Sequence, residues 1–205
     1  MLVRQGIART AVLFAVAVFV AGILGAFTTP AWADSYPENE NLSSQEITDR
    51  FKLIDASYEV GEAFSEVDAD FVLRYGMKPV NGDVYRASQN FNVSGSGYGT
   101  SINATGSLYH NGVVPSYSYG GNVNINTTYG PTPKNLKLTI HCTSYGIIGS
   151  GGVGIIYNDE VSASKSWSSS FSASPSRSYS GYMVSYSVYG WVDVTTSSGN
   201  FFTVR

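Results

Sequence analysis

The chain has a single cysteine, two histidines and few charges for its 205 residues. One thiol excludes an intramolecular disulfide framework and any zinc site built on a cysteine cluster. Charged residues make up 13% of the chain, about half the usual share. The balance is mildly acidic, a formal net charge of −3, which argues against a general nucleic-acid binder. There is no Walker loop, no G-x-S-x-G elbow and no H-E-x-x-H pair, so the common signatures of phosphoryl transfer, acyl transfer and zinc hydrolysis are missing. Asp68-Ala69-Asp70 lacks the glycine and later glutamate of a calcium loop. No repeat of fixed period marks a solenoid or propeller. No metal or cofactor is therefore expected, and no catalytic residue is assigned.

What the chain has in quantity is glycine (22), tyrosine (15) and serine, within a composition that is 43% hydrophobic. That is too apolar for a disordered acidic tail. Its first residues read as an address. Arg4 and Arg9 precede an uncharged apolar run over 11–27, which Thr28-Thr29-Pro30 breaks. Ala31-Trp32-Ala33 then sets small residues at the −3 and −1 positions before Asp34, the layout of a secretory signal peptide over 1–33. The run of 17 residues is at the short end for a bilayer span, so cleavage after Ala33 and export are expected rather than a membrane anchor. No cysteine follows the run to carry a lipid. An exported chain without disulfides suits a bacterial secretome better than a small eukaryotic extracellular module. Asn-x-Ser/Thr triplets at Asn41, Asn92, Asn103 and Asn126 are what chance supplies in so Asn- and Ser-rich a chain.

The remainder has two unlike parts. Residues 34–83 carry 12 acids against four bases, a net of −8, and residues 84–205 carry three acids against six bases, a net of +3. The acidic part reads helical. Ser43 and Glu46 form a capping box, and Leu42 with Ile47 has the spacing of a hydrophobic staple. Ile47, Phe51, Ile54 and Tyr58 recur at helical spacing, Gly61 interrupts, and Ser65 with Asp68 repeats the cap before Val67, Phe71 and Tyr75. Two short amphipathic helices are predicted, at 44–57 and 66–75, with their acids as solvated faces. Because such short helices are marginal alone, the segment should dock on the longer part, 84–205.

From Val84 the period changes to two. Strands are predicted at 84–94, 98–109, 113–118, 122–129, 135–144, 153–158, 161–173, 178–195 and 200–204. Asn81-Gly82-Asp83, Asn111-Gly112, Gly120-Gly121, Gly130-Pro131 and Ser198-Gly199 are read as the punctuation. So many half-polar strands predict a mainly β fold, an antiparallel β-sandwich of jelly-roll or immunoglobulin-like type, over 84–205.

Alternation also decides what the chemically attractive residues do. In 136–143, Leu136, Leu138, Ile140 and Cys142 share one face, and Lys137, Thr139, His141 and Thr143 the other. Cys142 is therefore a buried inert thiol, His141 a residue of the solvated face, and a Cys–His dyad is disfavoured. His110, before Asn111-Gly112, reads as a hairpin residue. The literal G-x-G-x-x-G at 149–154 lacks the following helix of a dinucleotide site and reads as a hairpin loop.

Two segments carry the functional hints. Over 161–194 apolar residues alternate with serines, which predicts sandwich strands or an amphipathic hairpin able to enter a membrane. Lys165 on the apolar side counts against the membrane. Tyrosines beside serine and glycine make adaptable contact surfaces, and aromatic platforms stack on sugar rings. Tyr117, Tyr119, Tyr189, Trp191 and Trp167 are the candidate ligand-binding residues. The function expected is that of a secreted, non-enzymatic protein contacting a cell-surface glycan or another macromolecule. Two alternatives stand beside it: a membrane-active, pore-forming or bacteriocin-like protein using 161–194, and a hydrolase whose site bears no motif.

Overall fold

In the computed structural model the described residues are 36–78, 85–149 and 151–205. The expected signal peptide over 1–33, the turn expected at 81–83, Val84 and Ser150 lie outside them.

After a 3₁₀ turn at Pro37–Asn39 come α1 (Ser44–Ser57) and α2 (Glu66–Tyr75), with the bounds that their caps predict. The Glu46 N–H donates to Ser43 Oγ at 3.3 Å, and the Ser43 N–H donates back to the Glu46 carboxylate at 2.8 Å. Ser65 Oγ accepts from the Asp68 N–H at 3.2 Å. These bonds satisfy N–H groups that a helix start leaves without intrahelical partners. Gly76 stops α2 with an extended, not left-handed, backbone. Its value is space: a Cβ there would lie 2.5 Å from the Val72 carbonyl oxygen and 2.7 Å from Ser185 Oγ.

Among the described residues nine strands follow: β1 (Tyr85–Gly97), β2 (Thr100–Val113), β3 (Ser116–Tyr129), β4 (Asn135–Ile148), β5 (Gly152–Ser166), β6 (Ser170–Ala173), β7 (Ser176–Ser180), β8 (Met183–Thr195) and β9 (Phe201–Val204). They form two antiparallel sheets. One has the order β1-β2-β3-β6, with β7 also pairing β3; the other has the order β5-β4-β8-β9. Inward side chains of both sheets share one core, in which Ile102, Leu108, Tyr119 and Ile125 meet Leu138, Ile140, Cys142 and Val192. The helices pack on the second sheet. Phe51 and Ile54 of α1 and Phe71 and Val72 of α2 cluster with Tyr145, Val153 and Ile155. The Phe51 ring lies 4.9 Å from that of Phe71 and 5.9 Å from that of Tyr145. Burying each such side chain stabilises by about 1.5–3 kcal/mol, which is why the amphipathic helices settle there.

Several expectations are corrected. Asn111-Gly112 and Gly120-Gly121 do not break strands but lie inside β2 and β3. A Cβ on Gly121 would sit 2.8 Å from Ile140 Cδ1 of the other sheet, and one on Gly120 would sit 2.3 Å from the Pro175 carbonyl oxygen. These glycines serve close approach, not turning. The hairpin expected over 161–194 is divided between sheets: the end of β5 and all of β8 belong to one, β6 and β7 to the other. An Arg177–Asp159 ion pair joins β7 to β5. The two halves of the expected hairpin therefore do not pair with each other. In β4, Leu136, Leu138, Ile140 and Cys142 are buried as alternation requires. Their opposite face is not solvated, however. Thr139, His141 and Thr143 are buried as well. His110 is no hairpin residue; it lies in β2 with its ring in the interior, 4.0 Å from the Tyr186 ring.

Candidate functional site

Alternation along β8 puts Tyr189 and Trp191 on one face, and their rings lie 6.0 Å apart at 28°. Register places His141 of β4 opposite Tyr189, and the two rings stack at 4.8 Å. The indole is oriented from below: Trp191 Nε1–H donates to Asp193 Oδ2 at 3.2 Å, and Thr203 Oγ1–H donates to Asp193 Oδ1 at 2.7 Å. The Arg205 guanidinium lies 5.8 Å from the centre of the Trp191 ring. Across the gap, α1 presents Thr48 and Lys52, one turn apart on the same helical face. Thr48, Lys52, Tyr189, Gly190, Trp191 and Arg205 line a cleft of about 240 Å³. Its lining combines two aromatic rings with two cations, of which Lys52 also lies 3.4 Å from Asp49 Oδ1.

Behind the floor lies a buried polar group. Asp55, with a side chain only 7% exposed, follows Lys52 by three residues on α1, and its Oδ2 is 3.6 Å from His141 Nε2. Asp55 Oδ1 accepts a hydrogen bond from the Tyr145 hydroxyl at 3.1 Å. His141 Nδ1 is 3.5 Å from Glu160 Oε1, and Nε2 is 2.9 Å from Thr143 Oγ1. Burial, and then the charges of Asp55 and Glu160, hold the Tyr189 phenol above its ordinary pKa, so it presents a neutral hydroxyl. Both imidazole nitrogens of His141 lie near partners of their own, and its ring is stacked on Tyr189. Among the described residues no group of three His, Cys, Asp or Glu side chains is placed to hold a metal ion.

Of the five aromatic candidates, the structure brings Tyr189 and Trp191 together. Tyr119 is fully buried in the core, and Tyr117 is buried beside it. Trp167 is 61% exposed in the turn after β5, apart from the cleft lining. Alternation could have signalled the inward tyrosines, since Tyr117 and Tyr119 alternate with Ser116 and Ser118. Lys52, Thr48 and Arg205 carry no such signal, because only the docking of α1 and the pairing of β9 bring them to β8.

No family model, curated protein or solved structure matches this chain. No helix among the described residues is long and apolar enough to cross a membrane.

Proposed function

We propose that this chain is an exported, non-enzymatic binding protein that holds an acidic glycan in the Tyr189–Trp191 cleft. In this reading residues 1–33 are removed after Ala33. The two sheets are the layers of a β-sandwich of jelly-roll or immunoglobulin-like type, and the helical segment forms one wall of the site.

The observation that carries the proposal is the stacked Tyr189–Trp191 pair in a cleft that Lys52 and Arg205 also line. A sugar ring presents C–H groups on a face and hydroxyls around its rim. The face suits an indole surface, and rim hydroxyls can bond to the Thr48 hydroxyl and the Gly190 backbone. A carboxylate, sulfate or phosphate on the ring would be met by Lys52 or Arg205. At about 240 Å³ the cleft holds a group the size of one sugar ring, below the volume of most drug-sized sites.

Titration with oligouronates, followed by isothermal calorimetry, tests this. Trp191→Ala should weaken binding at least tenfold, about 1.4 kcal/mol, and added salt should weaken the native protein's binding. Unchanged affinity in the variant would overturn the assignment.

One observation favours a hydrolase as the second reading: His141 lies between two carboxylates, Asp55 and Glu160. Analysis of the glycan after prolonged incubation separates the two. Cleavage products that disappear in Asp55→Asn would replace binding by catalysis.

A further inference from the structure

The outer face of the β1-β2-β3-β6/β7 sheet, opposite the core, is built almost wholly from short uncharged side chains. Register aligns them in ranks. Asn92, Thr105, Asn124 and Ser172 form one rank straight across four strands. Ser94, Asn103, Asn126 and Ser170 form the next. Neighbouring strands place the members of a rank about 4.8 Å apart, and successive ranks are about 6.7 Å apart along the strands. The side chains stand in solvent; Asn92, Asn124, Asn126, Ser170 and Ser172 are all exposed. Toward the β7 end the face becomes concave. There Arg86, Asn111, Ser116, Ser118, Ser178 and Ser180, with Gly112 and the buried Tyr117 and Tyr179, line an open hollow of about 690 Å³. Among the described residues of this face, Arg86 carries the sole charge.

We infer that this face binds an extended neutral polysaccharide, at a site separate from the Tyr189–Trp191 cleft. An exposed sheet face that serves only solubility is ordinarily studded with charges of both signs. This one is nearly free of them, although the chain places charges along its helices. The lack of cations disqualifies phosphate-bearing ligands, nucleic acid and anionic lipid surfaces. Aromatic and arginine side chains are sparse on this face: Tyr109 and Arg86, Tyr129 at the far end of β3, and Tyr117 and Tyr179 at the hollow, the last two buried. That disfavours a protein partner gripped by a central hot spot.

What remains in register are donors and acceptors repeated in two directions. They match a ligand whose own neutral donors and acceptors also repeat, which is the chemistry of a polyhydroxylated chain. A single neutral hydrogen bond gains little, because it replaces one made to water. A ligand that engages several ranks at once multiplies the gain, so retention should grow with chain length and resist salt.

The test is co-sedimentation of the full secreted chain with insoluble cellulose, chitin and β-glucan, at low salt and in 1 M NaCl. The variant Asn92→Glu/Asn124→Glu/Ser178→Glu places three anions on the face without touching the core. Ser162→Glu, an equivalent change on an exposed position of the other sheet, is the control. Circular dichroism and thermal melts establish that each variant is folded.

Retention of the native chain on at least one neutral polysaccharide is expected. It should be equal at both salt concentrations, kept by the control and reduced at least tenfold in the triple variant. Any one of four results overturns the inference: no retention on any of the three, loss of retention in 1 M NaCl, equal retention of the triple variant, or a concentration-dependent dimer that the triple variant abolishes. The last would show that a second copy of the chain covers the face.

Discussion

Cys142 and His110 are core residues whose chemistry the interior suppresses. Cys142 is fully buried, with its thiol pKa pushed up to about 12 by burial, so thiolate is scarce at neutral pH. A thiol reagent should label it only on unfolding, and Cys142→Ala should cost about 1 kcal/mol in urea denaturation. Rapid labelling of the native protein would contradict this. His110 Nε2 lies 2.5 Å from the Tyr179 hydroxyl, and burial pushes its pKa down to about 4 from 6.5. The unfolded chain therefore takes up the proton first as pH falls. Stability should decline below about pH 6.5, by about 1.4 kcal/mol per pH unit, and this contribution should level off below about pH 4 at about 3 kcal/mol. Urea melts at pH 7, 5.5 and 4 measure the loss, and His110→Gln should flatten that part of the profile.

Among the elements, α2 shows how local and tertiary terms combine. Its start rests on Ser65, whose hydroxyl also donates to Asp68 Oδ2 at 2.8 Å. Burial raises the Asp68 pKa, but hydrogen bonds from Tyr58, Ser65 and Arg50 together bring it below the ordinary carboxylate value. Ser65→Ala should cost about 1 kcal/mol of stability. The loss should be greatest near neutral pH, where Asp68 is ionised in both states, and should shrink as acid protonates it. Chemical denaturation at pH 7 and pH 3 would check the sign.

For the molecule as a whole, the question is how far the helical layer depends on the sheets. Phe71 is fully buried and touches Phe51 and Tyr75, while the Arg50 guanidinium lies 5.1 Å from the centre of its ring. Phe71→Ala should cost about 3–5 kcal/mol. It should also turn 36–78 into a preferred site of limited proteolysis, whereas in the native protein this segment should resist cleavage. Because α1 supplies one wall of the Tyr189–Trp191 cleft, the same variant should weaken oligouronate binding. Rapid cleavage of the native segment, with the melting of 84–205 unchanged, would show that the helices contribute little to the fold.

The residues themselves determined the local structure. The Ser43–Glu46 and Ser65–Asp68 pairs bounded two helices, because a cap is a contact between neighbours in sequence. Period-two alternation told which side chains of β4 share a face, because a strand's geometry enforces it. Neither kind of information says what lies against a face. That is why His141 and Thr143, read as solvated, are buried, and why Gly120-Gly121 serves the meeting of two sheets instead of a turn. Tyr189 and Trp191 were legible as a pair two residues apart. Lys52 and Arg205 join them only because α1 docks on the second sheet and β9 pairs with β8. Such contacts, between residues far apart in the chain, follow from burying apolar surface on whichever face is open, and only the assembled tertiary structure decides them.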